Sequence, residues 1–393
     1  LPYPVNLSWL GVARETTKFT AVAPTFWIPV KSPSALAQIK YHPDEGYRGA
    51  MAQTYGMIQG VENGEYSCQG DVFPDAIGFW LGALLGDVVG TGTASGGSTT
   101  LAALSAVGAV TVSSTATEPA TTILQIDTGS KAEIRSVVSV SGAGPFTLTL
   151  NSPLSFAHSN GATVQPVVAP FTNAFAPYSL AQGQAPALTV SDFNGFNMRQ
   201  FAGAEVSEVA FKFTAEELFQ YTTKVFSAAP VTGTAPAISF SATAPIPGWN
   251  CTSKVAGSTI TKLWSLDLTL ARMNLAPIWT AQASQQPYSI FGGPITAKGK
   301  IMFVYEDDTE LNYYINNTQP ALDVTLVQQG VSNRSVQIHL SQVAFISPTQ
   351  AIRGKHYLET EATIEGIANV TDVGGSAGYS PVKVTTISPQ GVY

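Results

Sequence analysis

Apolar and polar residues alternate along much of this chain, the period of a half-buried strand. In EYSCQGDVF, Tyr66, Cys68 and Val72 share one face with Gly70, while Glu65, Ser67, Gln69 and Asp71 share the other. Trp264, Leu266, Leu268 and Leu270 oppose Ser265, Asp267 and Thr269 in the same way. Val336, Ile338 and Leu340 oppose Ser335, Gln337, His339 and Ser341, and Glu359, Glu361 and Glu365 fall on one parity with Thr363 between them. The pattern predicts strands at 207–213, 263–271, 300–305, 322–327, 336–345 and 357–367. LFQYTTKVF, where Phe219, Tyr221 and Val225 alternate, reads as a further strand, although Thr214-Ala-Glu-Glu217 before it has the form of a capping box.

The period changes at PDAIGFWLGALLGD. Ile77, Trp80, Leu81, Leu84 and Leu85 recur at helical spacing, Asp75 can cap, and a buried helix ending near Gly86 is predicted. A short helix is expected at 307–316, where Asp307-Asp308 suits a helix start. Asn63-Gly64 predicts a hairpin turn, since both residues tolerate positive φ. GTGTASGG at 90–97 reads as a linker of small residues; no Gly-Lys-Ser/Thr follows that would make it a phosphate loop. From 98 to 167 the composition shifts to Val, Thr, Ser and Gly. Short strands at 122–126, 132–140 and 146–150 suggest a small all-β module inserted into a larger domain. The assignment is therefore mainly β, an antiparallel sandwich or barrel of residues 1–89 and 168–393 with one or two short helices, carrying the inserted module 90–167.

Charge sharpens this picture. Only 11 % of the 393 residues are charged, against roughly 25 % in an ordinary soluble domain. Interface cores are depleted in Lys, Glu and Asp, so a chain this poor in charge is expected to bury much of its surface in an assembly. A net charge of -7 without any basic run argues against a protein held to nucleic acid by phosphate contacts. No apolar run is long enough to span a membrane, and LPYPVNLSWLGVARE lacks the basic and apolar regions of a signal peptide. The prolines and aromatics of residues 1–35, among them Tyr3, Trp9, Phe26 and Trp27, describe an extended arm that needs a surface, its own body or a neighbour.

Candidate chemistry is sparse. Cys68 and Cys251 are expected to be free thiols, and His42, His158, His339 and His356 show no metal-ligand spacing. Asp127-Thr128-Gly129-Ser130 has the form of an aspartic protease tetrapeptide, but no second copy exists to share the proton, so a turn is expected. Glu359 and Glu361, about 7 Å apart on one strand face, have the spacing of an inverting glycosidase pair; a solvated or pore-facing strand is the preferred reading. His158 and His339 are expected to be satisfied surface or groove residues. Sequons at Asn6, Asn250, Asn316, Asn333 and Asn369 matter only on a secretory route, of which no signal is seen. No catalytic residue, metal or cofactor is assigned.

The order of features resembles the tail tube proteins of long-tailed phages, especially those infecting actinobacteria. The resemblance rests on Gly11-Val-Ala-Arg-Glu15 with Thr25-Phe-Trp-Ile-Pro29-Val, and on Gly64 to Pro74 running into Ile77 to Gly86. It continues in Phe171 to Phe175, Gln184 to Asp192 and Arg199 to Ser207, and weakens toward the C-terminus. Residues 123–167 resemble a separate small β module found in phage virion proteins. The resemblance implies a β-sandwich with a flanking helix, stacked rings of six subunits, and inner sheets merging into one barrel around a genome conduit. It implies contacts with further copies, a tape measure protein, a tail terminator and distal tail proteins, and passage of double-stranded DNA without tight binding. Localisation would be the virion tail, with assembly in the host cytoplasm. Glu65, Ser67, Gln69, Asp71, Glu205 and Ser207 are then the lumen candidates. Tyr3, Trp9, Phe26, Trp27 and the hairpin residues Met51, Tyr55, Met57 and Ile58 are the inter-ring candidates. The rivals are another self-assembling virion protein, such as a decoration or terminator protein, and a secreted β-rich hydrolase dependent on Glu359.

Overall fold

The computed structural model describes residues 4–180, 183–352 and 358–393. Strands β1 (Trp9–Arg14), β2 (Phe26–Ile28), β3 (Ser34–Asp44) and β4 (Gly56–Asp71) precede helix α1 (Ile77–Leu85). β5 (Gly86–Ala94), β6 (Thr99–Thr100), β7 (Thr111–Ser114), β8 (Ile123–Ile126), β9 (Glu133–Ser141) and β10 (Phe146–Leu150) follow. Then come β11 (Thr163–Pro177), β12 (Leu188–Phe193), β13 (Met198–Thr214), β14 (Gln220–Ser227) and β15 (Val231–Gly233). The next group is β16 (Cys251–Val255), β17 (Ser258–Ile260), β18 (Leu263–Arg272), β19 (Ala276–Ile278), β20 (Ser289–Phe291) and β21 (Ile295–Val304). Helix α2 (Thr309–Ile315) leads to β22 (Leu322–Val327), β23 (Ser335–Leu340), β24 (Val343–Ile352), β25 (Leu358–Gly366) and β26 (Lys383–Ser388).

The fold is mainly β and antiparallel, arranged as two large sheets. In the first, the strands β3-β4-β14-β13-β18-β21-β25-β24 run side by side, and β12, β1 and β2 branch from the long β13. The second has the order β17-β16-β22-β23-β26-β11-β8-β9-β10-β7, with β5 and β6 also on β11. One apolar core joins the sheets. It takes Leu10, Tyr66, Leu266, Ile301 and Ile364 from the first and Val324, Val336, Ile338 and Val384 from the second.

Helix α1 packs against β13, β11 and β5. Every residue of it is buried, so the period-3.6 apolar stripe understated its burial. Gly78 leaves room for the Tyr393 ring, which a Cβ there would strike. The helix stops where Gly86 adopts a φ of 86° and its N–H donates to the Gly82 carbonyl, a left-handed cap that side chains resist. Asp75 does not cap: the N-cap position is Ala76, with no side-chain hydrogen bond.

Three other local expectations are corrected. Asn63-Gly64 is not a turn. β4 passes straight through it, Asn63 pairing with Gln38 and Gly64 with Ala37, and the turn lies at 45–55. Gly64 is required by close approach: a Cβ would stand 2.6 Å from the Ala228 carbonyl oxygen and 2.8 Å from the Phe201 ring. Gly64→Ala is expected to destabilise the protein by about 1–3 kcal/mol, read as a lower urea midpoint with unchanged slope. The predicted strand 336–345 is two strands, β23 and β24, broken after Leu340 where the Ser341 N–H and hydroxyl are taken by Asp372 at 2.8 and 2.7 Å.

Residues 90–94 are not linker. They belong to β5, which pairs with β11 from Gly86↔Pro177 to Ala94↔Val167. The 98–167 region has a separate apolar cluster built on Leu101, Leu124, Ile126, Leu148 and Val164. It is continuous with the second sheet through β11, which pairs with β26 at one end and β8 at the other. A polar network adds to this junction. Glu133 accepts from Arg135, from His158 Nε2 at 3.0 Å, and from the Ser155 and Phe156 N–H groups at 2.8 Å each. His158 Nδ1 stands 3.0 Å from Asp127 Oδ2. Body residues reach the same loop: Arg14 donates to the Pro153 carbonyl and the Tyr178 hydroxyl to that of Ser155. His158 is thus buried in a charged cluster, not on a surface or in a groove.

Candidate functional site

Strand register assembles a polar surface that no single segment displays. On β4 the pleat buries Tyr66, Cys68 and Gly70, with Val72 buried just past its end, and turns Glu65, Ser67, Gln69 and Asp71 outward, three of them half-buried and Gln69 exposed. Asp71 lies opposite Gln220, Gln220 opposite Lys212, Lys212 opposite Asp267, and Asp267 opposite Lys300. The next row runs Gln69, Thr222, Ala210, Thr269, Lys298, Glu365. Lys224 joins Glu208 at 3.1 Å, Lys298 joins Glu365 at 2.9 Å, Lys300 joins Glu361 at 3.1 Å, and Lys31 joins Asp71 at 2.6 Å. Exposed pairs of this kind contribute about 0–1 kcal/mol each. Their consequence is a hydrated face of interleaved sign, with no basic field.

Two lumen candidates behave differently from the β4 set. A bulge between Val206 and Glu208 sets Ser207 out of register, so Glu208 rather than Ser207 lies across from Lys224. Ser207 is half-buried, its hydroxyl donating to the Lys224 carbonyl. Glu205 is buried and ion-paired with Lys18, whose ammonium also donates to the Ile290 carbonyl at 3.0 Å. Burial raises the Glu205 carboxyl above its ordinary range, with Lys18 pulling it back. Glu205 is therefore not part of the open polar face.

The inter-ring candidates also divide. Tyr3 lies outside the described residues. Trp9 is not available for an outside contact: β1 is an interior strand between β2 and β12, and Trp9 is buried, stacked on Phe193 at 5.4 Å and edge-on to Trp27 at 6.5 Å. Phe26 and Trp27 are half-buried, Phe26 against Phe79 at 5.0 Å. These aromatics serve their own subunit. The hairpin set is the reverse case. Met51 and Tyr47 are fully exposed, and Met57 and Ile58 largely so. Tyr55 is half-buried under the Arg48 guanidinium, 4.6 Å from its ring centre, while Arg48 pairs with Asp44. That stack orders the base of a tip which otherwise stands free; a Cβ on Gly49 would meet nothing within 4 Å.

The enzyme-like motifs form no reaction centre. Asp127 sits at a φ of 68° and accepts from the Thr128 N–H, the geometry of a turn, and its other oxygen faces His158. Glu361 is held by Lys300 on the sheet face, and Glu359 is buried. Cys68 and Cys251 are free, burial pushing both thiols up to about 12. Among the described residues no group of three or more His, Cys, Asp and Glu is arranged to hold a metal. No helix among them is long and apolar enough to cross a membrane.

Sequence reasoning missed Lys212, Lys224, Lys298 and Lys300 as members of the polar face. Strand parity marks each of them, but only the register lines them up. No curated protein matches the chain. The family described as phage tail tube protein matches residues 6–368, almost the whole sequence, and the chain belongs to that family: it is a structural protein of the phage tail.

Proposed function

We propose that copies of this chain close into rings of six and stack into a tube, with the polar face of the first sheet turned to the lumen as a conduit for double-stranded DNA. One observation carries this reading. The first sheet has an apolar face on the core, a polar face away from it, and edge strands β3 and β24 at the two ends of its main row, with β2 ending the branch through β12 and β1. Open edges invite pairing with another chain, and a sheet that pairs edge to edge with its own copies closes into a barrel. The polar face then lines the inside. Lys31, Lys224, Lys298 and Lys300 on it are paired with carboxylates, so phosphates gain little by displacing them, and DNA passes without being held.

The tape measure protein would occupy that lumen before DNA does, and terminator and distal tail proteins would close the two ends. Assembly would take place in the host cytoplasm. The 90–167 module, with its own core, would be an insertion carried on the outside of the tube.

Cryo-electron microscopy of the purified protein tests the assembly. The expected result is hollow tubes with six-fold end views and outward knobs. Isolated closed rings would favour a terminator-like protein instead. Persistent monomers, even with purified tail tips as seeds, would overturn the tube. A charge change tests the lumen. Glu361→Lys with Glu365→Lys should make assembled tubes retain short DNA duplexes, with retention falling as salt rises by a slope of about -0.9 per phosphate neutralised. Native tubes should retain none; equal retention by both would sink the lumen assignment.

A further inference from the structure

The projecting hairpin and an aromatic groove lie at opposite ends of the same sheet. β4 leaves the tip at Gly56 and ends at Asp71, roughly 50 Å of strand. Just beyond the Asp71 row, where β13 ends and β18 begins, Phe213, Trp249, Cys251, Ile260 and Trp264 line a cavity of about 330 Å³. None of its described lining residues is charged. Trp249 is 59 % exposed within the subunit, and the Gly248 N–H is fixed to the Glu217 carbonyl at 2.8 Å. At the other end, residues 49–55 of the tip, GAMAQTY, carry no charge, and the nearby Arg48 is neutralised by Asp44. Met51 is the fully exposed apolar side chain of that segment.

We propose that the Met51 tip of one copy seats in the Trp249–Trp264 groove of the next copy along the stack. The proposal rests on the stacked-ring reading above and adds the receiving site to it. A flexible thioether adapts to an irregular aromatic pocket and gains from sulfur–ring contacts. The two surfaces are different patches of one chain at opposite ends, so each contact leaves a free tip and a free groove. Such a head-to-tail contact does not close on itself and extends as a filament. It also accounts for an exposed tryptophan and an exposed methionine at the ends of the subunit, where solitary copies would leave both in water.

Disulfide capture and assembly together test it. In a Cys251→Ser background, the pair Met51→Cys and Trp249→Cys should give a reducible ladder of covalent multimers when tubes are oxidised, and Met51→Cys alone should give none. Trp249→Ala and Met51→Asp, both at exposed positions, should each lower the polymerised fraction about tenfold while the monomer keeps its circular dichroism spectrum. Absence of a ladder, with Trp249→Ala tubes at the native level and Met51→Asp tubes lost, would overturn the groove and leave the hairpin's stacking role intact. Normal tubes from both variants would overturn the contact as a whole. A native chain that forms no tubes, with no ladder from the double-cysteine variant, would overturn the stacked-ring reading and the groove with it.

Discussion

Trp80→Ala should lower stability by about 3–5 kcal/mol, the range for removing a fully buried indole, out of the roughly 5–15 kcal/mol that holds a typical domain folded. Trp80 is fully buried at the middle of α1, and α1 has no exposed face through which its neighbours could relax outward. The helix bridges β13 of the first sheet to β5 and β11 of the second, so a cavity there loosens both sheets at once. Capping adds little to compensate, because Asp75 makes no side-chain cap. The measurement is the urea midpoint of the purified monomer, with soluble yield as a second reading. Trp80→Phe should recover part of the loss. A midpoint for Trp80→Ala within about 0.5 kcal/mol of native, the scale of a surface substitution, would show that the helix is not the centre of the core.

That helix and the polar sheet face show what the sequence discloses. Ile77 to Leu85 were legible because nine consecutive positions, nearly all apolar, end at a glycine, and local chemistry alone sets that boundary. The faces of β4, β18 and β25 were legible because a strand alternates with period two whatever it pairs with. Their assembly into one surface was not, since cross-strand neighbours such as Lys212 and Asp267 are 55 positions apart and register is a tertiary property. Asn63-Gly64 misled for a related reason. Its glycine answers to the Phe201 ring and the Ala228 carbonyl, distant in sequence, rather than to a turn. Trp9 misled because an aromatic arm beside prolines carries no signal of whether its own body or a neighbour receives it. The cluster around Glu133 had no spacing to find: Asp127, Glu133, Arg135 and His158 meet only after β8 and β9 pair and the 151–158 loop folds over them.

Glu133→Gln should therefore be the second large loss, about 3–5 kcal/mol, the usual result of breaking a buried ion pair from one side. Arg135 would keep its charge without its carboxylate partner, and His158 would lose one of the two carboxylates that hold its proton. The same geometry fixes a pH dependence. Both His158 ring nitrogens face carboxylate oxygens at 3.0 Å, an arrangement that favours the doubly protonated ring, which donates to each. Burial pushes its pKa down, but Glu133 and Asp127 outweigh burial and hold it above the ordinary 6.5. The stability this gives is complete below 6.5 and is lost as pH rises through the raised value. Glu133 runs the other way. Burial pushes its pKa up, but Arg135, His158 and the Ser155 and Phe156 N–H groups hold it below 4.5. Its contribution is complete above 4.5 and is lost as pH falls through the lowered value. Around the network stand Asp87, whose carboxyl burial raises, Tyr178, whose phenol burial pushes up to about 12, and Arg14, whose guanidinium burial lowers to about 9. Urea midpoints across this range should show the native protein losing stability above neutrality. Glu133→Gln should lose that alkaline slope, and adding His158→Gln should restore part of the midpoint. Limited proteolysis of the 95–166 region should quicken with the same pH profile, because Arg135 of this region and Arg14 from outside it donate to the same Pro153 carbonyl. Parallel pH curves for native and Glu133→Gln protein would place the ionisation elsewhere and leave the junction to its strand pairing through β11.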